Sequence, residues 1–121
     1  MCIRDSVQPA LLAKAGVKFG FEGGSNWASQ NLPFYVGASC AYGLSQEDAL
    51  RALTLSTAEM FGVDDRIGSV SVGRSADFFV TDGDPFELTT NVKYLFIGGK
   101  PVPLVSQHTR LRDKYWGRFR D

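Results

Sequence analysis

Histidine is nearly missing from this 121-residue sequence: the one residue of that type, His108, stands in a basic tail. A zinc centre takes three or four protein ligands, so the chain cannot assemble a histidine-built metal site alone. Cysteine is also scarce. Cys2 and Cys40 cannot make a disulfide framework, and no Cys-x-x-Cys pair suggests zinc. There is no charge excess, with 13 basic residues against 13 acidic ones, so no overall field draws the chain to nucleic acid or to a membrane. No apolar run is long enough to cross a bilayer. No basic segment leads into an apolar one as in a signal peptide. Internal repeats and low-complexity tracts are absent. The glycines from Gly20 to Gly24 miss the GxGxxG spacing, and no Lys-Ser/Thr pair comes after them, which excludes a phosphate cradle.

What is present is ordinary globular material. Hydrophobic residues make up 44% and charged residues 21%, a balance that argues against disorder. The length allows one modest domain but is short for a barrel enzyme. Residues 1–6 (Met-Cys-Ile-Arg-Asp-Ser) fit poorly with the helical pattern after them and read as a non-native N-terminal scar, with the native chain beginning near Val7.

Residues 8–15 predict the end of a helix with Leu11 and Leu12 inward and Gly16 as its stop. Residues 17–21 then predict a strand, because Val17, Phe19 and Phe21 share one face at period two. Helix, glycine and short strand form the αβ step of an alternating fold. The polar loop of residues 22–32 lies at the carboxyl end of that strand, where parallel α/β folds build active sites. Pro33 opens a helix whose Phe34, Ala38 and Ala41 recur at helical spacing, and Gly43 ends it. Ser45 with Asp48 caps a second helix with Leu50, Leu53 and Thr54 inward, and Ser56 with Glu59 caps a third that stops at Gly62. From there the period changes. Residues 67–72, 76–81, 92–97 and 100–104 read as short strands, with Gly98-Gly99 as a hairpin turn. Four short strands leave unpaired edges, so the chain reads as part of a larger body.

Residues Gly43 to Thr54, together with Ser56-Thr57-Ala58-Glu59, resemble the last barrel helices of the amidohydrolase superfamily. Residues 62–70 and 72–80 look like that family's return into its β-sandwich, and Asp82-Gly83-Asp84-Pro85 with residues 92–99 completes the order. The match covers about residues 16–104, and within the superfamily it is to imidazolonepropionase-like and related cyclic-amidohydrolase proteins. The resemblance implies an α/β plus β fold. Residues 7–62 would be the last β/α unit of a TIM-like (β/α)8 barrel, and residues 63–105 strands of a small composite β-sandwich. Residues 106–121 form a basic, aromatic tail. A full barrel takes about 250 residues, so the chain would be a C-terminal fragment.

The implied activity is hydrolysis of carbon–nitrogen bonds other than peptide bonds, such as those of cyclic amides, by a metal-activated water. A divalent metal, zinc by preference, and a small-molecule substrate would belong to the full-length parent, with no metal bound by the fragment and no activity of the fragment alone. Neither nucleic acid nor a membrane is expected as a partner, and a homo-oligomer stays open. The family's last-strand aspartate aligns with Gly24, which cannot serve as ligand or base. Glu22, two residues earlier and on the same side of a strand, is the catalytic candidate in its place; a solvated rim carboxylate is the plainer reading. Ser25, Asn26, Trp27 and Asn31 are the substrate-binding candidates, set against simple loop-to-helix capping. Asp77 reads as a structural hydrogen-bonding residue, Asp82 and Asp84 as turn formers, and Cys40 as a packed thiol. The tail reads as a terminal helix docking its aromatics while its charges stay wet. The alternative to an enzyme is a degenerate, non-catalytic binding or interaction domain.

Overall fold

The structure is a computed structural model that describes residues 3–119, without the side chains of Ile3, Arg4, Asn26, Trp27 and Phe119. Cys2, in the expected terminal scar, and Arg120, in the basic tail, therefore lie outside the described residues. The chain opens with helix α1 (Ile3–Lys14), succeeded by α2 (Asn26–Gln30), α3 (Leu32–Ala41), α4 (Gln46–Leu53) and α5 (Leu55–Met60). A three-stranded sheet comes next: β1 (Phe78–Thr81), β2 (Val92–Ile97) and β3 (Lys100–Pro101). Helix α6 (Gln107–Trp116) and a 3-10 turn (Gly117–Phe119) end it. No helix among the described residues is long and apolar enough to cross a membrane.

Three helices end in the same way. After α1, α3 and α5 a glycine takes a positive φ: Gly16 at 69°, Gly43 at 101° and Gly62 at 66°. The next residue's N–H then reaches back to the helix, as Val17 does to Leu12, Leu44 to Ser39 and Val63 to Ala58, at 3.0, 3.1 and 3.0 Å. This is the Schellman closure, and it needs a residue without a Cβ at the left-handed position. The start of α4 is equally local, with the Asp48 N–H donating to Ser45 Oγ at 3.0 Å.

Several expected details differ. Leu11 is exposed on α1 and Ala10 is buried in its place. On α3 the buried residues are Val36 and Ser39 rather than Phe34, Ala38 and Ala41, and on α4 they are Ala49 and Ala52 rather than Leu50. Small residues lie inward because these helices approach closely, which leaves larger neighbours on the outer side. Ser56 does not cap α5; it lies buried within that helix, and Thr54 occupies the cap position without a side-chain bond. Glu59 is drawn instead into ion pairs with Lys18 and Arg51.

The segment 17–21 forms no strand, because no described residue offers the backbone partner that a ladder requires. Residues 67–72 form no strand but an irregular, bending segment, with Val70 and Val72 exposed to solvent. The sheet itself is antiparallel, in the order β1-β2-β3. Phe78 opposes Phe96 with stacked rings 4.9 Å apart, and the register shifts between Val80 and Thr81. Gly98 and Gly99 both take positive φ, 56° and 74°, which suits the tight hairpin between β2 and β3.

The core gathers Ala10, Val36, Leu44, Ala49 and Phe86, with Phe19, Phe21, Cys40 and Leu53 packed on it. The sheet and the far side of α4–α5 stay largely uncovered. Between them lies a cleft of about 810 Å³, lined by Leu50, Phe61, Ile67, Val70 and Phe79 among others. The expected docking of the tail is not what the structure has: α6 carries no buried residue. Its Tyr115 ring instead lies beneath Lys114 of the same helix and Arg118 of the 3-10 turn, at 5.4 and 4.9 Å.

Candidate functional site

The loop that carries the candidate residues is positioned by the segment before it. Phe19 and Phe21 enter the core and meet edge to face at 5.7 Å. On the opposite side, Gly20 lies so close to α5 that a Cβ there would stand 2.5 Å from Thr57 Oγ1. Lys18 reaches Glu59 Oε2 at 2.6 Å, and Arg51 reaches Glu59 Oε1 at 3.1 Å. The Lys18 ammonium, bonded to Glu59, holds that carboxyl below the usual carboxylate range. Alternate residues are thus fixed on both sides, and the loop leaves from an anchored base.

Glu22 is the first loop residue. It is exposed, and among the described residues it forms no hydrogen bond or ion pair. Gly23 packs against α2, where an added Cβ would meet Ser29 Cα at 2.6 Å. Gly24 takes φ 61° with open space around it. A larger side chain would find room there, but in a left-handed backbone that L-residues adopt at a cost.

Ser25 caps α2, accepting the Ala28 N–H at 3.2 Å, and its carbonyl accepts from the Ser29 hydroxyl at 2.9 Å. Its hydroxyl is engaged in the local helix start, as the capping reading has it. Asn26 and Trp27 begin α2, a helix that sequence periodicity missed because five residues show too little pattern; their side chains lie outside those described. Asn31 stands between α2 and α3 as the cap of the latter. The candidates therefore share one loop and the first turn of one helix. Of those whose side chains are described, Glu22, Ser25 and Asn31 do not line the apolar cleft.

The other singled-out residues are structural. Asp77 accepts the Gly98 N–H at 2.5 Å and the Ser75 hydroxyl at 2.6 Å, which pins the hairpin turn to the start of β1 and keeps its carboxyl below the ordinary range. Asp82 accepts from Lys93 at 2.8 Å and from the Asn91 N–H at 2.7 Å, and these hold it well below that range. Asp84 accepts the Phe86 N–H at 2.9 Å. Cys40 packs on the core, where burial pushes its thiol pKa up. Among the described residues no three His, Cys, Asp or Glu side chains converge on a point that could hold a metal ion. The described residues of this chain therefore do not by themselves supply a donor set for a metal.

The sequence reading missed the Lys18–Glu59–Arg51 cluster, and no local pattern joins residues so far apart. Gly20 did carry a signal, since a glycine inside a strand pattern marks a close backbone approach.

The described structure is a mixed α/β segment in which an anchored extended stretch, residues 17–21, leads into a polar loop. Known proteins agree in class. The amidohydrolase family model matches residues 6–102, and the chain belongs to that family. It is 32% identical over 119 aligned residues to the imidazolonepropionase of Shewanella baltica, covering 88% of this chain and 28% of that protein. The imidazolonepropionase of Syntrophobacter fumaroxidans is 45% identical over 56 residues, 46% of this chain and 13% of that one. The crystal structure of an amidohydrolase from Thermotoga maritima superposes with a TM-score of 0.76 at 30% identity, over 81% of this chain and 26% of its own. The chain spans about a quarter or less of these relatives.

Proposed function

We propose that this chain is the last β/α unit of a (β/α)8 barrel, with adjoining sandwich strands, in a hydrolase acting on carbon–nitrogen bonds other than peptide bonds, cyclic amides among them. The observation that carries the reading is the family match over residues 6–102; the anchored 17–21 segment, which delivers a polar loop where such folds place their active sites, supports it. Divalent-metal donors, with zinc preferred, belong to other parts of the full-length protein, and this chain alone is inactive. Glu22 is the open carboxylate at the loop, available to bind or to hold a proton. Ser25 shapes the loop through its cap, and Asn26, Trp27 and Asn31 contact substrate.

One feature favours a second reading, a non-catalytic family module: Gly24, whose backbone is left-handed, is the residue that the family resemblance aligns with the last-strand aspartate. Recovering the adjoining upstream coding sequence and assaying the full-length protein on cyclic amides separates the two. The hydrolase reading expects histidine pairs upstream, and a Glu22→Gln variant slowed by about a hundredfold or more with unchanged folding. Full activity in that variant would remove Glu22 from the mechanism. An upstream sequence without histidine ligands, and no hydrolysis, would leave the module.

A further inference from the structure

One carboxylate ties three parts of the chain together. Glu59, on α5, takes the Lys18 ammonium on Oε2 at 2.6 Å and the Arg51 guanidinium on Oε1 at 3.1 Å. Lys18 lies in the segment that runs into the candidate loop, and Arg51 lies on α4. Glu59 Oε2 is shielded from solvent. Removing Lys18 therefore leaves a shielded carboxylate oxygen without its cation, which costs more than breaking an open surface pair.

Between that pair and the loop the chain is close-packed. Gly20, like Lys18, meets α5, where a Cβ would stand 2.5 Å from Thr57 Oγ1. Phe19 and Phe21 pack on the core. Past Glu22, Gly23 lies so near α2 that a Cβ would stand 2.6 Å from Ser29 Cα, and the Ser29 N–H donates to the Ser25 carbonyl at 2.8 Å. The segment, the loop and α2 are thus packed as one body. Apolar packing is non-directional, so the phenylalanines by themselves leave that body free to shift lengthwise. An ion pair forms in one place, and Arg51 holds the other oxygen of Glu59 there.

We propose that Glu59 is a positioning residue for the candidate loop: through Lys18 it fixes where residues 17–21 sit along α5, and so where Glu22 and the loop of residues 22–31 are held. Glu59 acts at one remove, through the Lys18 side chain and the backbone that follows it. A reacting group misplaced by about 1 Å can slow a reaction about a hundredfold, so a pair this far from Glu22 still bears on the rate. That consequence for catalysis rests on the hydrolase reading; the holding of the loop does not.

Hydrogen exchange of the full-length protein, with kinetics on cyclic amides beside it, tests this. In Glu59→Gln and in Lys18→Met, the amides of residues 22–31 should exchange about fivefold faster or more, while those of residues 36–41 in α3 keep their rates. Lys18→Arg, which leaves a cation within reach of Glu59, should restore the protection. Lys93→Met breaks the ion pair with Asp82 in the sheet and should leave the loop's exchange as it is. In the first two variants kcat should fall about tenfold or more with KM little changed, and recover in Lys18→Arg. Unchanged exchange in the loop overturns the proposal, as does a loss of protection shared equally by α3, which a merely structural ion pair would give. Faster loop exchange at an unchanged kcat overturns the positioning role. A wild-type protein that hydrolyses no cyclic amide removes the proposed function instead, and exchange then decides whether Glu59 holds the loop.

Discussion

Replacing Gly20 with alanine places a methyl group where the chain has no room. The new Cβ would lie 2.5 Å from Thr57 Oγ1, 3.2 Å from Met60 Cε and 3.5 Å from the Ala52 carbonyl oxygen. Methionine is flexible and can move aside. The Thr57 hydroxyl is less free, because it donates to the Ala52 carbonyl at 2.7 Å. Relieving the clash therefore means giving up that hydrogen bond, worth about 1 kcal/mol, or shifting the backbone, at about 1–3 kcal/mol for overpacking. Against this, alanine restricts the unfolded chain and contributes about 0.4–1 kcal/mol of stability. The clash wins, and the net expectation is a loss of about 1–2 kcal/mol. Urea denaturation of both proteins reads it as a lower midpoint at constant slope. Removing the hydroxyl supplies the internal control: in a Thr57→Ala background the same Gly20→Ala change should cost much less, a coupling that a double-mutant cycle reports. A neutral or stabilising Gly20→Ala, or equal losses in both backgrounds, would refute the close approach of the 17–21 segment to α5.

Other expectations concern the core, a cap, an ion pair and the candidate loop. Val36 is fully buried, so Val36→Ala should lower stability by about 2 kcal/mol in the same urea assay. Ser45→Ala removes the acceptor for the Asp48 N–H and should cost about 1 kcal/mol, while Ser45→Asn should retain most of it. The folded state holds Asp82 below its unfolded pKa, chiefly through the bond from Lys93, so its stabilising effect is fully present above about pH 4 and fades as pH falls through the depressed folded value. Asp82→Asn should accordingly flatten the loss of stability on acidification, as thermal melts between neutral and acid pH would show. Gly24→Ala should cost about 1 kcal/mol because of its positive φ; an unchanged melting temperature would mean the loop relaxes freely.

Local sequence determined the punctuation of the fold. Gly16, Gly43 and Gly62 were readable as helix stops, Ser45 as a cap and Gly98-Gly99 as a hairpin turn, because each depends on the conformational range or hydrogen-bonding reach of a few neighbouring residues. Strand β2 was legible over its whole length, since Val92–Ile97 has both the composition and a turn beside it. The ordered series of motifs from Gly43 to Gly99 also indicated the family. Which helix faces lie inward was decided by tertiary packing. Leu11 and Leu50 matched the helical period yet face outward, while Ala10, Ala49 and Ala52 fill the close helix contacts. Residues 17–21 have a strand's alternation, but a strand exists only when a second backbone accepts its hydrogen bonds, and the described residues supply none. The Lys18–Glu59–Arg51 cluster and the Gly20–Thr57 approach were equally invisible in the sequence, for they join residues brought together by the fold. Sequence carries the signals whose energies are local; the anchoring of the candidate loop and the exposed cleft arise from contacts between distant residues, which only the tertiary structure sets.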